Sequence, residues 1–120
     1  LVEFHKLRGR VATVTSVQPS GRFGALDLTD EDIVSGFNEK PKGDGSWINA
    51  GFFVMQPEIF RYLTDDETVL EKDPLESLAK EGELVAYKHG GFWAAMDSMR
   101  DKNVLEEFWK TGVPPWKVWA

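Results

Sequence analysis

Three short stretches of this chain combine charged or amide side chains with residues that fix or free the backbone, a combination that could bind a ligand. The first is Glu39-Lys40-Pro41. The proline ring restricts its own backbone and that of the residue before it, so the backbone of Lys40 is held in place. Its ammonium group could then reach into a cleft as a point charge for a phosphate. The alternative is an exposed strand end, where a solvated Glu–Lys pair contributes little to stability.

The second stretch is Asn49-Ala50-Gly51, which lies inside an apolar run from Trp47 to Met55. A polar amide in such a run needs hydrogen-bond partners, because an unmet buried amide costs about 1–3 kcal/mol. A bound sugar could supply them, and Gly51 would let a ligand approach the backbone closely. A structural asparagine that closes a turn or a strand bulge explains the pattern equally well.

The third stretch ends at Asp97, between the apolar residues 92–96 and Ser98. We expect a short strand over 92–96 and a helix capped by Ser98, with Asp101 as the capping-box acid. A carboxylate at a strand end beside a helix start is well placed to hold Mg²⁺, which prefers oxygen ligands. The alternative is an acidic residue that only complements the helix dipole.

The elements that must position these residues alternate between strands and helices. Apolar and β-branched runs predict strands at residues 11–17, 24–28, 33–38, 47–55, 84–88 and 92–96. Helical spacing, proline starts and glycine stops predict helices at residues 1–8, 57–63, 74–80 and 98–110. This order indicates an α/β protein, and the adjacent strand pair at 24–38 indicates a mixed sheet. With 120 residues, we expect a single domain.

Composition excludes several classes of function. The net charge of −6 and a pI near 4.9 argue against nucleic-acid binding, which usually needs a basic surface. There is no cysteine for a disulfide framework or a thiolate zinc site, and His5 and His89 lie too far apart to suggest a histidine metal site. No apolar run approaches the ~20 residues of a membrane span, so we expect a cytoplasmic protein without a membrane partner.

Taken in order, these motifs resemble the nucleotide-sugar pyrophosphorylases, a nucleotidyltransferase family. The pattern Arg22-Phe23-Gly24, the run from Glu39 to Gly45 and the closing Pro114–Trp119 also match its cytidylyl branch, the glucose-1-phosphate cytidylyltransferases. Those enzymes make CDP-glucose from CTP and glucose 1-phosphate. The resemblance covers essentially the whole chain and implies the fold of a nucleotide-diphospho-sugar transferase (Rossmann-like).

The resemblance also implies roles for the phosphate-binding candidates. Lys40 would contact the phosphate of glucose 1-phosphate as a catalytic residue, and the neighbouring Glu39 would contact sugar hydroxyls. Arg22 has no certain chemical role, although it could steer the phosphate.

Further roles follow for the other two stretches. Asn49, Ala50 and Gly51 would line the hexose pocket. Asp97 would be the second catalytic residue, a ligand of the Mg²⁺ ion that bridges the nucleotide and sugar phosphates.

The nucleotide-binding half of the family has no counterpart in this sequence. No glycine-rich phosphate loop is present, and Gly43-Asp44-Gly45 is not the family's upstream metal motif. The chain thus resembles the C-terminal, sugar-phosphate-binding part of the enzyme, and CTP would bind only with the N-terminal part. We expect the chain alone to be inactive. The alternative is a stand-alone sugar-phosphate-binding or oligomerisation module without catalysis.

Two tryptophans, Trp116 and Trp119, follow the double proline Pro114-Pro115 near the end of the sequence. The prolines prevent the preceding helix from continuing, so the indoles must be covered in another way. We expect them to anchor a homo-oligomer, since aromatic residues are common at interfaces. Docking of the tail on its own domain is the alternative.

Overall fold

A computed structural model of the chain describes residues 1–18, 25–28, 32–38 and 47–119. They pack as two compact units, residues 1–89 and residues 90–120, and each unit is described by itself. The single domain expected from the length stays a prediction, because a compact unit is not by itself an independently folding domain. Within the described part of the chain, no helix is both long and apolar enough to cross a membrane.

The first unit is a mixed sheet accompanied by helices. Its strands are β1 (Ala12–Val17), β2 (Ala25–Leu28), β3 (Val34–Asn38), β4 (Ile48–Met55) and β5 (Leu84–Lys88). Its helices are α1 (Val2–Arg8), a 3₁₀ helix (Pro57–Tyr62) and α2 (Asp73–Lys80). The strand order is β3-β2-β4-β1-β5, with β1 and β5 parallel and the other pairs antiparallel. The predicted α/β class with a mixed sheet is therefore confirmed.

The hydrophobic core of this unit follows the side-chain periods of its elements. Every second residue of β1 and β5 enters the core, as does the apolar stripe of α2. The core residues from these elements are Ala12, Val14, Leu75, Leu78, Ala79, Leu84 and Ala86. Val34 of β3 and Ile59 of the 3₁₀ helix complete the cluster, so α2 and the 3₁₀ helix cover one face of the sheet.

Helix α1 packs on residues of β1 and β5 that point away from this core. The buried His5 makes a hydrogen bond of 2.8 Å between its Nδ1 and Oγ1 of Thr13. Phe4 lies edge-to-face against Tyr87 with 5.3 Å between ring centroids. Thr13 and Tyr87 alternate with core residues along their strands. Because the core covers one face of β1 and α1 packs on the other, every residue of β1 is buried.

Two predicted glycine stops are confirmed. Gly9 ends α1 with φ of +64°. After α2, Gly82 has φ of +71°, its N–H donates to the carbonyl of Ala79, and the N–H of Glu83 donates to the carbonyl of Leu78. This paired pattern satisfies carbonyls at the helix end and needs a residue that tolerates positive φ.

The prediction of a helix over 57–63 is confirmed only in part, because residues 57–62 form a 3₁₀ helix. The N–H of Ile59 donates to the carbonyl of Gln56, and the N–H of Leu63 donates to that of Phe60. Both bonds span three residues, the 3₁₀ pattern, which is common in segments this short.

The second unit contains α3 (Met99–Lys110), whose start is capped as predicted. The Oγ atom of Ser98 accepts from the backbone N–H of Asp101 at 3.1 Å. The side chain of Asp101 reaches back one residue further than in a standard capping box and accepts from the N–H of Asp97 at 3.1 Å.

The predicted strand over 92–96 is wrong, since these residues pair with no described strand. An isolated extended segment leaves its backbone groups without sheet partners. Side-chain packing organises this stretch instead: the ring centroid of Phe92 lies 5.8 Å from that of Phe108 and 6.0 Å from that of Trp116.

The aromatic tail docks within its own unit through one of its two indoles. Trp116 stacks on Trp109 of α3, with 6.5 Å between centroids and 8° between ring planes. Trp119 is 56% exposed. Intramolecular docking therefore accounts for Trp116, and Trp119 stays available as an interface anchor.

Candidate functional site

The clearest feature of the candidate site is a bulge in β4. Ser16 of β1 pairs with Asn49, but Val14 pairs with Phe53, so one residue of β1 faces three residues of β4. Gly51 lies at the centre of the bulge with φ of +95°, a conformation that side-chain-bearing residues rarely adopt. The glycine at this position is therefore required by the backbone.

Asn49 closes the bulge with its own side chain. Its Oδ1 atom accepts a hydrogen bond of 2.8 Å from the N–H of Gly51, two residues along the chain. Such local bonds let asparagine stabilise turns. This bond fits the alternative prediction for Asn49, a structural asparagine that closes a bulge. It uses only Oδ1, so the amide –NH₂ group could still donate to a ligand. Asn49 and Ala50 are half-buried and Gly51 is exposed, so the sugar-binding role of all three stays a prediction.

Three further candidates, Arg22, Glu39 and Lys40, lie outside the described residues. Their proposed contacts with phosphate and sugar stay predictions. The described strand β3 ends at Asn38 and the description resumes at Trp47. The β4 bulge begins two residues after Trp47, so the described part of the site is its Asn49–Gly51 segment.

Asp97 belongs to the second unit and is exposed just before the cap of α3. The expectation that it terminates a strand is wrong, but its place beside a helix start is confirmed. Its backbone N–H is bound by Asp101, whereas its own carboxylate has no partner among the described residues. No group of three or more acidic or histidine side chains in the described ranges could hold a metal, so Asp97 offers a single carboxylate.

A charged network that the sequence did not reveal lies near the bulge. The carboxylate of Asp32 forms two salt bridges. One is to Nζ of Lys88 at 2.6 Å, and the other is to a guanidinium nitrogen of Arg8 at 3.4 Å. Lys88 Nζ also lies 5.4 Å from the ring centroid of Trp47, a favourable cation–π distance. Two cations, Arg8 and Lys88, therefore share the Asp32 carboxylate.

The register of the sheet relates this network to the bulge. Lys88 of β5 and Asn49 of β4 both pair with Ser16 of β1, on opposite sides of that strand. Their backbones are thus two strand spacings apart, about 10 Å. No local sequence pattern links Asp32, Lys88 and Arg8.

Asp32 itself has an unusual backbone. Its φ is +64°, the only positive value of a non-glycine residue in the described ranges, and aspartate tolerates this region better than most residues. Its carbonyl accepts from the N–H of Ala86 at 3.0 Å, and Ile33 pairs with Val85 as an isolated bridge. The residue therefore ties the start of β3 to the outer edge of β5.

A separate surface cavity of about 240 Å³ lies before α2. Its polar lining includes Glu67, Asp73, Lys72 and the hydroxyl-bearing Tyr62, Thr64 and Thr68. Two carboxylates face one ammonium group there, so the cavity does not suit a sugar phosphate. A hydrogen bond to Glu81, with burial and the nearby Glu81 and Glu83 charges, raises the pKa of the Tyr62 hydroxyl.

Comparison with known proteins gives the chain its relatives. It is 50% identical over 118 residues to a glucose-1-phosphate cytidylyltransferase of Salmonella typhimurium, covering 98% of this chain and 46% of that protein. It is 42% identical over 120 residues to a probable glucose-1-phosphate cytidylyltransferase of Bacillus subtilis, again covering 46% of the relative. A mannose-1-phosphate guanyltransferase of Saccharomyces cerevisiae is 32% identical over 110 residues, covering 88% of this chain and 30% of the relative.

The chain therefore spans less than half the length of the curated relatives it matches. The nucleotidyl transferase family model matches residues 1–99. That range includes both the β4 bulge and Asp97, and it extends over most of the sequence. The chain belongs to the nucleotidyl transferase family.

Proposed function

We propose that this chain forms the sugar-phosphate-binding part of a glucose-1-phosphate cytidylyltransferase. The observation that carries the proposal is the 50% identity over nearly the whole chain to an enzyme of that name. In the proposed reaction, a phosphate oxygen of glucose 1-phosphate attacks the α-phosphorus of CTP. A new P–O bond forms, the bond between the α- and β-phosphates breaks, and pyrophosphate leaves with CDP-glucose as the product.

Such a transfer depends more on positioning the substrates and neutralising their charge than on covalent catalysis by the protein. Lys40 would hold the attacking phosphate as a point charge, with Glu39 on the sugar hydroxyls and Arg22 steering the phosphate. Because the chain carries a net charge of −6, a local cation such as Lys40 would matter for drawing in an anion.

The β4 bulge would form the wall of the hexose pocket. The Asn49 amide oxygen is used by Gly51, so its –NH₂ group would donate to a sugar hydroxyl. Gly51 is exposed and an added Cβ there would meet no atom within 4 Å, which leaves open space beside the backbone. Ala50 adds only a methyl group. These properties support a pocket that admits a bulky polar ring.

Mg²⁺ would act with Asp97 in the complete enzyme. Mg²⁺ is usually held by one or two carboxylates together with substrate phosphates, and an exposed carboxylate such as Asp97 fits one of those positions. When bound, the ion would neutralise charge on the phosphates. Asp97 would orient it, and the rest of the ligands would come from the substrates and from the part of the enzyme that binds CTP.

A homo-oligomer is part of the proposal, with the second unit as the contact surface. No residue of α3 is buried, and Trp119, Val118 and Val113 near the tail are 56%, 93% and 80% exposed. Between residues 90 and 120, four basic residues balance four acidic ones. Two copies of this region would therefore meet without the repulsion expected of the acidic remainder. We also propose that the enzyme acts in the cytoplasm.

The proposal is tested by the binding of glucose 1-phosphate to the 120-residue chain, measured by isothermal titration calorimetry. Replacing Lys40 by alanine should weaken binding by roughly tenfold or more, because charge-assisted contacts contribute about 1.5–3 kcal/mol. Lys80→Ala is the matched control, since Lys80 is an exposed lysine in the last turn of α2. Equal affinities of the two variants would remove Lys40 from the site.

Turnover is the second test. With CTP, glucose 1-phosphate and Mg²⁺, we expect no CDP-glucose from this chain alone, because the sequence contains no glycine-rich nucleotide loop. Binding without turnover in the reconstituted full-length enzyme would favour a sugar-phosphate-binding module. Turnover by the 120 residues alone would mean that a nucleotide site is built in another way.

A further inference from the structure

Two exposed methionines flank Asp97 at the start of α3. Met96 is 63% exposed and Met99 is 68% exposed, and they lie on either side of Asp97 and the capping Ser98. Burying a methionine side chain normally stabilises a fold, because its apolar surface is removed from water. Neither residue belongs to the described hydrophobic core, so the thioether groups of both are open to small solutes.

The third methionine of the chain lies in a different environment. Met55 ends β4, is half-buried and packs against the hydrophobic core of the first unit. The chain contains three methionines and no cysteine, so no thiol competes with these thioethers for an oxidant. Because an oxidant must reach the sulfur atom, exposure governs how fast a methionine reacts. The fold therefore divides the sulfur atoms of this chain into an exposed pair and one shielded atom.

We propose that Met96 and Met99 form a reversible oxidation site, which hydrogen peroxide converts to methionine sulfoxides faster than it oxidises Met55. In each step a lone pair of the sulfur attacks one peroxide oxygen, an S–O bond forms and the O–O bond breaks. The sulfur loses two electrons to the peroxide. The departing hydroxide takes the proton from the transferred oxygen and becomes water. The modification makes an apolar side chain polar and leaves its charge unchanged.

Oxidation at these two positions changes the surroundings of Asp97 and leaves the fold intact. Two polar sulfoxide groups then lie within two residues of that carboxylate along the chain. The same change at Met55 would place a polar group against the core and destabilise it. The inference does not depend on the proposed ligand, and the proposed subunit contact uses the tail residues Val113, Val118 and Trp119 instead of this pair.

Trypsin separates the exposed pair from the shielded methionine. One tryptic peptide, residues 89–100, contains Met96 and Met99, and another, residues 43–61, contains Met55. The folded chain is treated with hydrogen peroxide, and mass spectrometry follows the gain of about 16 Da for each sulfoxide. The peptide 89–100 should gain oxygen roughly threefold faster or more per methionine. In the urea-unfolded chain the two peptides should react within about twofold of each other, because the fold no longer shields Met55.

Leucine variants locate the added oxygen, because leucine has a similar volume and no sulfur. Met96→Leu and Met99→Leu should each gain one oxygen fewer in the peptide 89–100, and the double variant should gain none. Met55→Leu is the matched control and should leave the oxidation rate of that peptide unchanged. The thermal unfolding midpoint of the oxidised chain should fall by less than about 3 °C. Methionine sulfoxide reductases of both stereospecificities should together remove the added oxygen.

Equal oxidation rates of the two peptides in the folded chain would overturn the inference. A rate difference that persists in urea would overturn it as well, because the fold would not be its cause. Oxygen that the two reductases fail to remove would refute reversibility. A large fall in the unfolding midpoint after oxidation of the pair alone would refute its independence from the fold.

Discussion

Two substitutions can separate the structural role of Asn49, its bond to the Gly51 N–H, from its proposed role as a donor to the ligand. Asn49→Ala removes both the acceptor for the Gly51 N–H and the donor toward a ligand. Asn49→Asp keeps an acceptor at the position of Oδ1, 2.8 Å from that N–H, but replaces the donor with a second negatively charged oxygen. Stability should therefore follow the acceptor, and ligand binding should follow the donor.

The magnitudes follow from the exposure of the bulge. A net hydrogen bond contributes about 0.5–1.5 kcal/mol, and Gly51 is exposed, so water partly replaces the lost acceptor. We expect Asn49→Ala to lower the free energy of unfolding by about 0.5–1 kcal/mol. Asn49→Asp should stay within about 0.5 kcal/mol of the original, because a charged acceptor is at least as strong.

The order of the two variants should reverse for binding. Asn49→Asp should weaken glucose 1-phosphate binding by roughly tenfold or more, about 1.4 kcal/mol, since a carboxylate cannot donate and repels the anion. Asn49→Ala should lose about half of that free energy. Urea unfolding and calorimetry measure the two quantities on the same samples. If Asn49→Asp bound as tightly as the original chain, Asn49 would only maintain the bulge and its contact with the ligand would be refuted.

Two other predictions concern a helix cap and a phenol. Ser98→Ala should speed amide hydrogen exchange at Asp101 and destabilise α3 by about 0.5–2 kcal/mol, and Ser98→Asp should restore protection; no change in exchange would refute the cap. Because the Tyr62 pKa is raised above 10.0 in the folded chain, its contribution to stability is present below that pH and is lost as the pH rises through the folded value. The difference in unfolding free energy between the original and Tyr62→Phe should thus shrink from about pH 8 to about pH 11, and a constant difference would contradict the assignment.

Most elements of the first unit could be predicted because their signals are local. β-Branched residues predicted β1, apolar runs predicted β4 and β5, and a proline start with a glycine stop predicted α2 within one residue at its start. The failures arose where local signals were incomplete. Residues 92–96 have the composition of a strand, but a strand also needs a neighbour, and Phe92 packs with aromatic side chains instead.

The candidate site, like the fold, could be predicted from the sequence only in part. Its residue types and order were sufficient to identify the family, and the family model and relatives confirm that membership. The roles of Arg22, Glu39, Lys40, Asn49, Ala50, Gly51 and Asp97 stay predictions. For Asn49, the sequence left a ligand contact and a bulge equally plausible, and only the register of β4 against β1 revealed the bulge.

The sequence by itself thus determined the class of fold and the family, because side-chain periodicity and motif spacing are local properties of the chain. It also supplied the candidate site residues, whose roles stay predictions. Tertiary structure alone decided which distant residues meet. The pairing of Asp32 with Lys88 and Arg8 depends on how three separate elements pack. The bulge at Gly51 depends on the register of β4 against β1. Contacts between residues far apart in sequence come from the packing of whole helices and strands, and no local sequence pattern predicts them.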